Sequence, residues 1–157
     1  MNLSQKNEDG DTPLGCGCAG GEPEIVKLLI SKGADINENC IHAAAKLYVT
    51  PALWNSSNEL LDASDRPAIV RLLCESKVDI NKLNSKGETA LIIAVEENLP
   101  EMVQLLLEGG ARLDLKYSNP ELDKKKPLDA IHWSKLRNHR ECTKVLETAK
   151  KNGCLIC

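Results

Sequence analysis

Two stretches of this chain are near-copies of each other with matched internal spacing. The first reads Gly10-Asp11-Thr12-Pro13-Leu14, then Glu24-Ile25-Val26-Lys27-Leu28-Leu29-Ile30, then Gly33-Ala34-Asp35-Ile36-Asn37. The second reads Gly87-Glu88-Thr89-Ala90-Leu91, then Glu101-Met102-Val103-Gln104-Leu105-Leu106-Leu107, then Gly110-Ala111-Arg112-Leu113-Asp114. Thr12 stands as far from Gly33 as Thr89 does from Gly110. A unit this short cannot bury its own apolar face, so copies must stack and share a core. The usual product of such stacking is a long binding surface.

Each piece of the copy has a physical reading. Thr is a good N-cap and Pro is tolerated at the first helical position, so Thr12-Pro13-Leu14 starts one helix. Ile-Val followed by Leu-Leu gives a second helix an apolar stripe for its neighbour. Gly33 and Gly110 suit the left-handed residue that ends that helix. A divergent copy lies between these two. Asn39-Cys40-Ile41-His42-Ala43-Ala44-Ala45 supplies its first helix, Pro67 to Cys74 its second, and Asp79-Ile80-Asn81 its end. Asn37 to Asn81 is longer than one repeat, because extra residues lie between the helices. A fourth unit reads Pro127-Leu128-Asp129-Ala130, then His139 to Leu146, with a long turn that holds Lys124-Lys125-Lys126. Polar Thr143, Lys144 and Lys150 on its second helix suit the end of an array.

These residues resemble the ankyrin-repeat family over nearly the whole chain. The resemblance implies an all-α solenoid of about four helix-turn-helix units, with repeats near 7–37, 38–81, 82–114 and 115–149. The long insertion in the second repeat spans about 47–66, and a flexible basic tail is expected over 150–157. The 157 residues suffice for one domain with a continuous core. Phe is absent, with two Trp and two Tyr, so that core must be aliphatic and Ala-rich. Seven Cys without a signal peptide point to reduced thiols in a cytoplasmic setting. No apolar run approaches the roughly 20 residues of a membrane-spanning helix.

The family implies that turn tips and the exposed ends of first helices line a concave groove. Carried over position by position, repeat one presents Glu8, Asp9, Asp11 and Glu22, and repeat three presents Ser85, Lys86, Glu88, Glu96 and Glu97. Such a groove is largely acidic and calls for another protein with a basic surface or peptide; solvated surface charge is the alternative. Residues 1–114 hold 10 Lys/Arg against 18 Asp/Glu, whereas 115–157 hold 10 against 5. The acidic balance argues against nucleic acid as a partner.

The insertion contains Thr50-Pro51 and Ser56-x-x-Glu59, both helix-start signals, so short helices are expected there. Its Tyr48, Leu53 and Trp54 either form an exposed partner anchor or fold back over the helix pair. Cys154-Leu155-Ile156-Cys157 has the form of a prenylation box. Alkylation of Cys154 beside Lys150 and Lys151 would favour an anionic membrane surface, since one lipid chain needs a second basic signal. Ankyrin repeats joined to such a box resemble prenylated effectors that intracellular bacteria place in host cells. Some members carry an N-terminal F-box; nothing like it precedes Gly10, so a ubiquitin role is not expected. A soluble ankyrin inhibitor or subunit without a lipid anchor is the competing reading.

Catalysis, metals and cofactors find little support. Cys16-x-Cys18 with Cys40-x-His42 has zinc-ligand residue types, but Cys18 falls on a small buried position of the family and His42 on its turn histidine. Four glycines, Gly15, Gly17, Gly20 and Gly21, surround these cysteines and are expected to loosen the helix. His132 and His139 lie near Cys142, yet no nucleophile signature surrounds them. Trp133 reads as packing for the last helix pair. No enzyme, metal or cofactor is expected.

Overall fold

The computed structural model describes residues 3–8, 11–46, 65–76, 78–118 and 127–153. Among these residues the regular structure is eight α-helices, with one isolated bridge between Tyr117 and Leu128. The fold class is therefore the all-α, helix-pair arrangement expected of ankyrin repeats. Contacts gather into two compact units, Met1–Val78 and Asp79–Cys157.

The first unit holds α1 (Pro13–Gly20), α2 (Pro23–Ser31), α3 (Glu38–Ala45) and α4 (Arg66–Glu75). The Thr12 hydroxyl accepts the Gly15 N–H at 3.2 Å, and Pro13 follows it at the helix start. Gly21, at φ 76°, ends α1 in a conformation only glycine adopts cheaply. At the end of α2 the Gly33 N–H donates to Ile30 O and the Ala34 N–H to Leu29 O, both at 2.9 Å. That pair of bonds is the left-handed glycine stop the sequence implied. Helix α1 packs on α2 and α3, and α4 packs on both as well. Leu14, Val26, Ile41, Ile69, Val70 and Leu73 are fully buried in this unit.

Three features of the first unit differ from expectation or went unforeseen. Helix α1 forms in spite of its glycines, and Gly17 has a packing reason. A Cβ there would sit 3.3 Å from Val26 Cγ2, so the bare backbone lets α2 approach closely. Arg66, expected as the last residue of the insertion, instead opens α4 and is buried. Its guanidinium donates to the carbonyls of Lys46 and Ala19, the latter at 3.0 Å, and so ties the ends of α3 and α1 to α4. The apolar stripe of α2 is only half covered: Val26 and Leu29 are buried, while Ile25 and Leu28 are 48% and 57% exposed. Residues 47–64, with Tyr48, Trp54 and the expected short helices, lie outside the described residues.

The second unit holds α5 (Ala90–Glu96), α6 (Pro100–Glu108), α7 (Ala130–Leu136) and α8 (Arg140–Lys151). Thr89 caps α5 by accepting the Ile92 N–H, and Asp129 caps α7 by accepting the His132 N–H. Asn98 and Asn138, at φ 54° and 58°, take the left-handed turn position between paired helices that Gly21 takes in the first unit. Gly110 repeats the Gly33 stop, with Ala111 N–H donating to Leu106 O at 2.9 Å. Paired bonds between the backbones of Tyr117 and Leu128, at 2.9 and 2.8 Å, close the long turn of the fourth repeat. Lys124 to Lys126 fall outside the described residues. The core here is α5 almost entire, with Val103, Leu106, Trp133 and Leu146. Helix α8 runs to Lys151, which takes the first two residues of the expected tail into the helix.

Candidate protein-binding surface

In the second unit, Asn84 builds the turn that leads to the candidate surface. Its N–H donates to Glu88 O and its side-chain oxygen accepts the N–H groups of Lys86 and Glu88, all at 2.9 Å. This turn aims the Glu88 side chain inward. Asn84 Nδ2 donates to Glu88 Oε2 at 2.7 Å, and the Tyr117 hydroxyl donates to Glu88 Oε1 at 3.0 Å. Glu88 is only 8% exposed. The groove residue expected at this position is therefore a structural carboxylate, because two side-chain donors satisfy it internally.

Glu96 and Glu97 close α5, where Glu97 is the C-cap residue. Both are half-buried, and Lys86 is exposed. Burial pushes the Glu96 carboxyl above its ordinary range, and the charges of Glu88 and Glu97 push the same way. Arg137 and Lys86 pull it back down without winning. Glu96 Oε1 is buried and has no hydrogen-bond donor among the described residues. Arg137 in turn lies over the Trp133 ring, 5.8 Å from its centroid, and Tyr117 packs on the same ring at 5.5 Å. Thus Lys86, Glu88 and Glu97 lie near enough to Glu96 to act on its charge, and so does Arg137, which the repeat motif did not bring forward. The face is mixed in charge rather than largely acidic, with Glu96 as its least compensated anion.

The acidic residues of repeat one lie in the first unit. Asp11 is exposed, and its N–H donates to Asn7 Oδ1 at 2.8 Å in a turn built like that of Asn84. Glu8 is exposed, and so is Glu22, which precedes α2. Asp9 and Cys154 lie outside the described residues.

The side chains weighed for catalysis have structural occupations. His139 Nδ1 is 2.7 Å from the Val95 carbonyl and so links the fourth repeat to the end of α5. The Cys142 thiol contacts Asn98 Oδ1 at 3.6 Å, and burial pushes its pKa up, against thiolate formation. His132 Nδ1 is 2.7 Å from Asp129 Oδ1 at the start of α7. Trp133 and His42 are buried, at 1% and 6% exposure. Among the described residues no three His, Cys, Asp or Glu side chains cluster closely enough to hold a metal ion. No helix there is long and apolar enough to cross a membrane.

Comparison with known proteins agrees with this architecture. Family models of ankyrin repeats match residues 9–41, as one repeat, and 50–117, as a three-repeat array. The human transient receptor potential cation channel subfamily A member 1 is 29% identical over 144 residues, 92% of this chain and 11% of the channel. The ankyrin repeat protein nuc-2 of Neurospora crassa is 31% identical over 140 residues, 88% of this chain and 11% of that protein. A putative ankyrin repeat-containing protein of Treponema pallidum is 28% identical over 138 residues, 88% of this chain and 41% of its own length. The chain thus spans a minor part of each of these relatives. With capped helix pairs, left-handed glycine stops and family matches over more than half its length, the chain belongs to the ankyrin-repeat family.

Proposed function

We propose that this ankyrin module is a non-catalytic adaptor that holds a basic segment of another protein at the α5 end of its second unit. The observation that carries this reading is the Glu96 carboxylate. Its ionised form is underserved, so a lysine or arginine from a partner would find a charge that the chain itself leaves poorly compensated. Glu97 beside it adds negative charge, and the Trp133–Tyr117–Arg137 stack gives the surface a firm floor. Titration with a lysine-rich peptide tests the reading. Binding should weaken with added salt and fall at least about tenfold in Glu96→Gln/Glu97→Gln, the loss expected for removing a charge-assisted contact. Equal binding by the double variant, or tighter binding of an acidic peptide, would turn attention to Arg137 and Lys86 instead.

A second reading adds a membrane tether. It is favoured by Lys144, Lys150 and Lys151, which are exposed on α8 and lead toward Cys154. Prenylation of Cys154 would set this basic helix end against an anionic leaflet. Intact-protein mass from eukaryotic cells, wild type beside Cys154→Ser, decides it. An isoprenoid mass gain with loss of the last three residues supports the tether, and an unmodified mass leaves the soluble adaptor.

A further inference from the structure

The turn from α7 to α8 carries cations that the Glu96 surface does not use. A cavity of about 320 Å³ opens there, lined by Lys135, Asn138, Arg140, Thr143 and Lys144. Three of these five are cationic and none is a carboxylate, so the cavity selects for negative charge. Arg140 and Asn138 make no side-chain hydrogen bond or ion pair among the described residues, which leaves their side-chain donors free. Lys135 and Lys144 are held by Glu147 and Glu141 at 2.7 and 2.8 Å. Both pairs are open to solvent and therefore readily exchanged for a stronger anion. Thr143 is occupied, with its hydroxyl 2.8 Å from Ser134 Oγ and 2.9 Å from the His139 carbonyl.

The repeat itself does not call for these cations. Counted from the capping residues Thr89 and Asp129, the same five positions in repeat three are Val95, Asn98, Pro100, Val103 and Gln104, none of them charged. Helices α2 and α6 open on Pro23 and Pro100, the favoured first residue, whereas α8 opens on Arg140. Asn138 alone repeats its counterpart, Asn98, in the left-handed turn position. From 135 to 151 Lys and Arg outnumber Asp and Glu six to two, so the local field stays positive with both ion pairs formed. The Glu147 carboxyl registers that field: Lys135 holds it below its ordinary range, and Lys151 and Lys150 add to the effect.

We propose that this cavity binds a phosphomonoester, carried on a phosphorylated serine or threonine of a partner protein. The group is nearly a dianion at neutral pH and has three strong acceptor oxygens. The Arg140 fork takes two of them, and Asn138 Nδ2 with Lys135 or Lys144 serves the third. A phosphoinositide headgroup shares this chemistry, but the place favours a partner chain. Lys150 and Lys151, the pair that a bilayer would engage, lie at the other end of α8, about 16 Å along the helix from Arg140. The site does not depend on the Glu96 surface, so either can fail without the other.

The test is an amide NMR titration of the full chain with a blocked glycine peptide that carries one central phosphoserine, beside its unphosphorylated twin. The phosphorylated peptide should shift the amides of 135–144 saturably, inorganic phosphate should compete for the same amides, and the twin should shift none of them. Arg140→Gln should weaken binding at least about tenfold, and Arg140→Lys, which keeps the charge but loses the fork, by less. Lys150→Gln/Lys151→Gln removes two charges at the far end and should cost less than about threefold, since solvent and salt screen them. Equal losses in Arg140→Gln and in that double variant would mean diffuse attraction to a basic helix and overturn the proposal. So would the absence of a saturable shift, or binding to phosphatidylcholine vesicles that contain phosphatidylinositol 4-phosphate without binding to the peptide. Circular dichroism checks the fold of each variant; if Arg140→Gln is unfolded, Lys144→Gln takes its place, with a loss of about fivefold expected.

Discussion

Repeats one and three share their motif and most of their backbone, yet they do not share their surroundings. Asn7 and Asn84 build the same turn: each donates its N–H four residues on, to Asp11 O or Glu88 O, and accepts one back on its side chain. The acid in that turn is exposed as Asp11 and buried as Glu88. The second helices diverge likewise. Met102 and Leu105 are 4% and 5% exposed, while their counterparts Ile25 and Leu28 lie open to solvent. Local sequence therefore sets the shape of a repeat, and the neighbours on its flanks set what each side chain is worth.

The largest expected effect follows directly. Leu106→Ala, at a fully buried position of α6, should cost about 3 kcal/mol in denaturant unfolding. Leu28→Ala, exposed at the α2 stripe, should change stability by less than about 0.5 kcal/mol. Similar losses at both sites would mean that the α2 stripe is covered in solution, which would erase half of the contrast. Tyr117→Phe comes next. It removes a donor from the buried Glu88 carboxylate and should cost about 1–2 kcal/mol. Asp11→Asn, its counterpart in the open copy, should be nearly silent. Thermal melts of the two variants side by side give the comparison directly.

The glycines of α1 offer a smaller and two-signed effect. Gly20→Ala meets only the Glu22 side chain, at 3.6 Å, so it should stabilise by up to about 1 kcal/mol through helix propensity. Gly17→Ala gains the same propensity but sets a methyl 3.3 Å from the buried Val26, and should lose stability overall. If both changes stabilise, α2 yields easily and the close approach is incidental.

The fold was legible because its signals are local. Thr12 and Thr89 cap the helices they were expected to cap, and Gly33 and Gly110 take the left-handed stop. What escaped depends on residues far apart in the chain. Nothing near Arg66 says that its guanidinium reaches the carbonyl of Ala19, and nothing near Glu88 announces Tyr117. The asparagines at 7, 84, 98 and 138 were a readable signal that went unused, since asparagine favours turns and tolerates the left-handed region. The surface was legible only as a set of positions. Its charge balance depends on Arg137, which comes from the following repeat and whose charge acts on Glu96.

That balance supplies the subtlest prediction, which depends on pH. The Glu96 carboxyl is raised above its ordinary value, chiefly by burial and by Glu88. A raised acid contributes stability that is fully present below its unfolded pKa, about 4.3 for glutamate, and lost as pH rises through the folded value. At neutral pH the ionised Glu96 is therefore a small burden on the second unit. Glu96→Gln should raise the melting temperature slightly at pH 7, and the advantage should fade as the pH falls to about 4. An advantage for Glu96→Gln that persists unchanged at pH 4 would mean that the amide improves packing, and the carboxylate would then be too well compensated to seat a partner's cation.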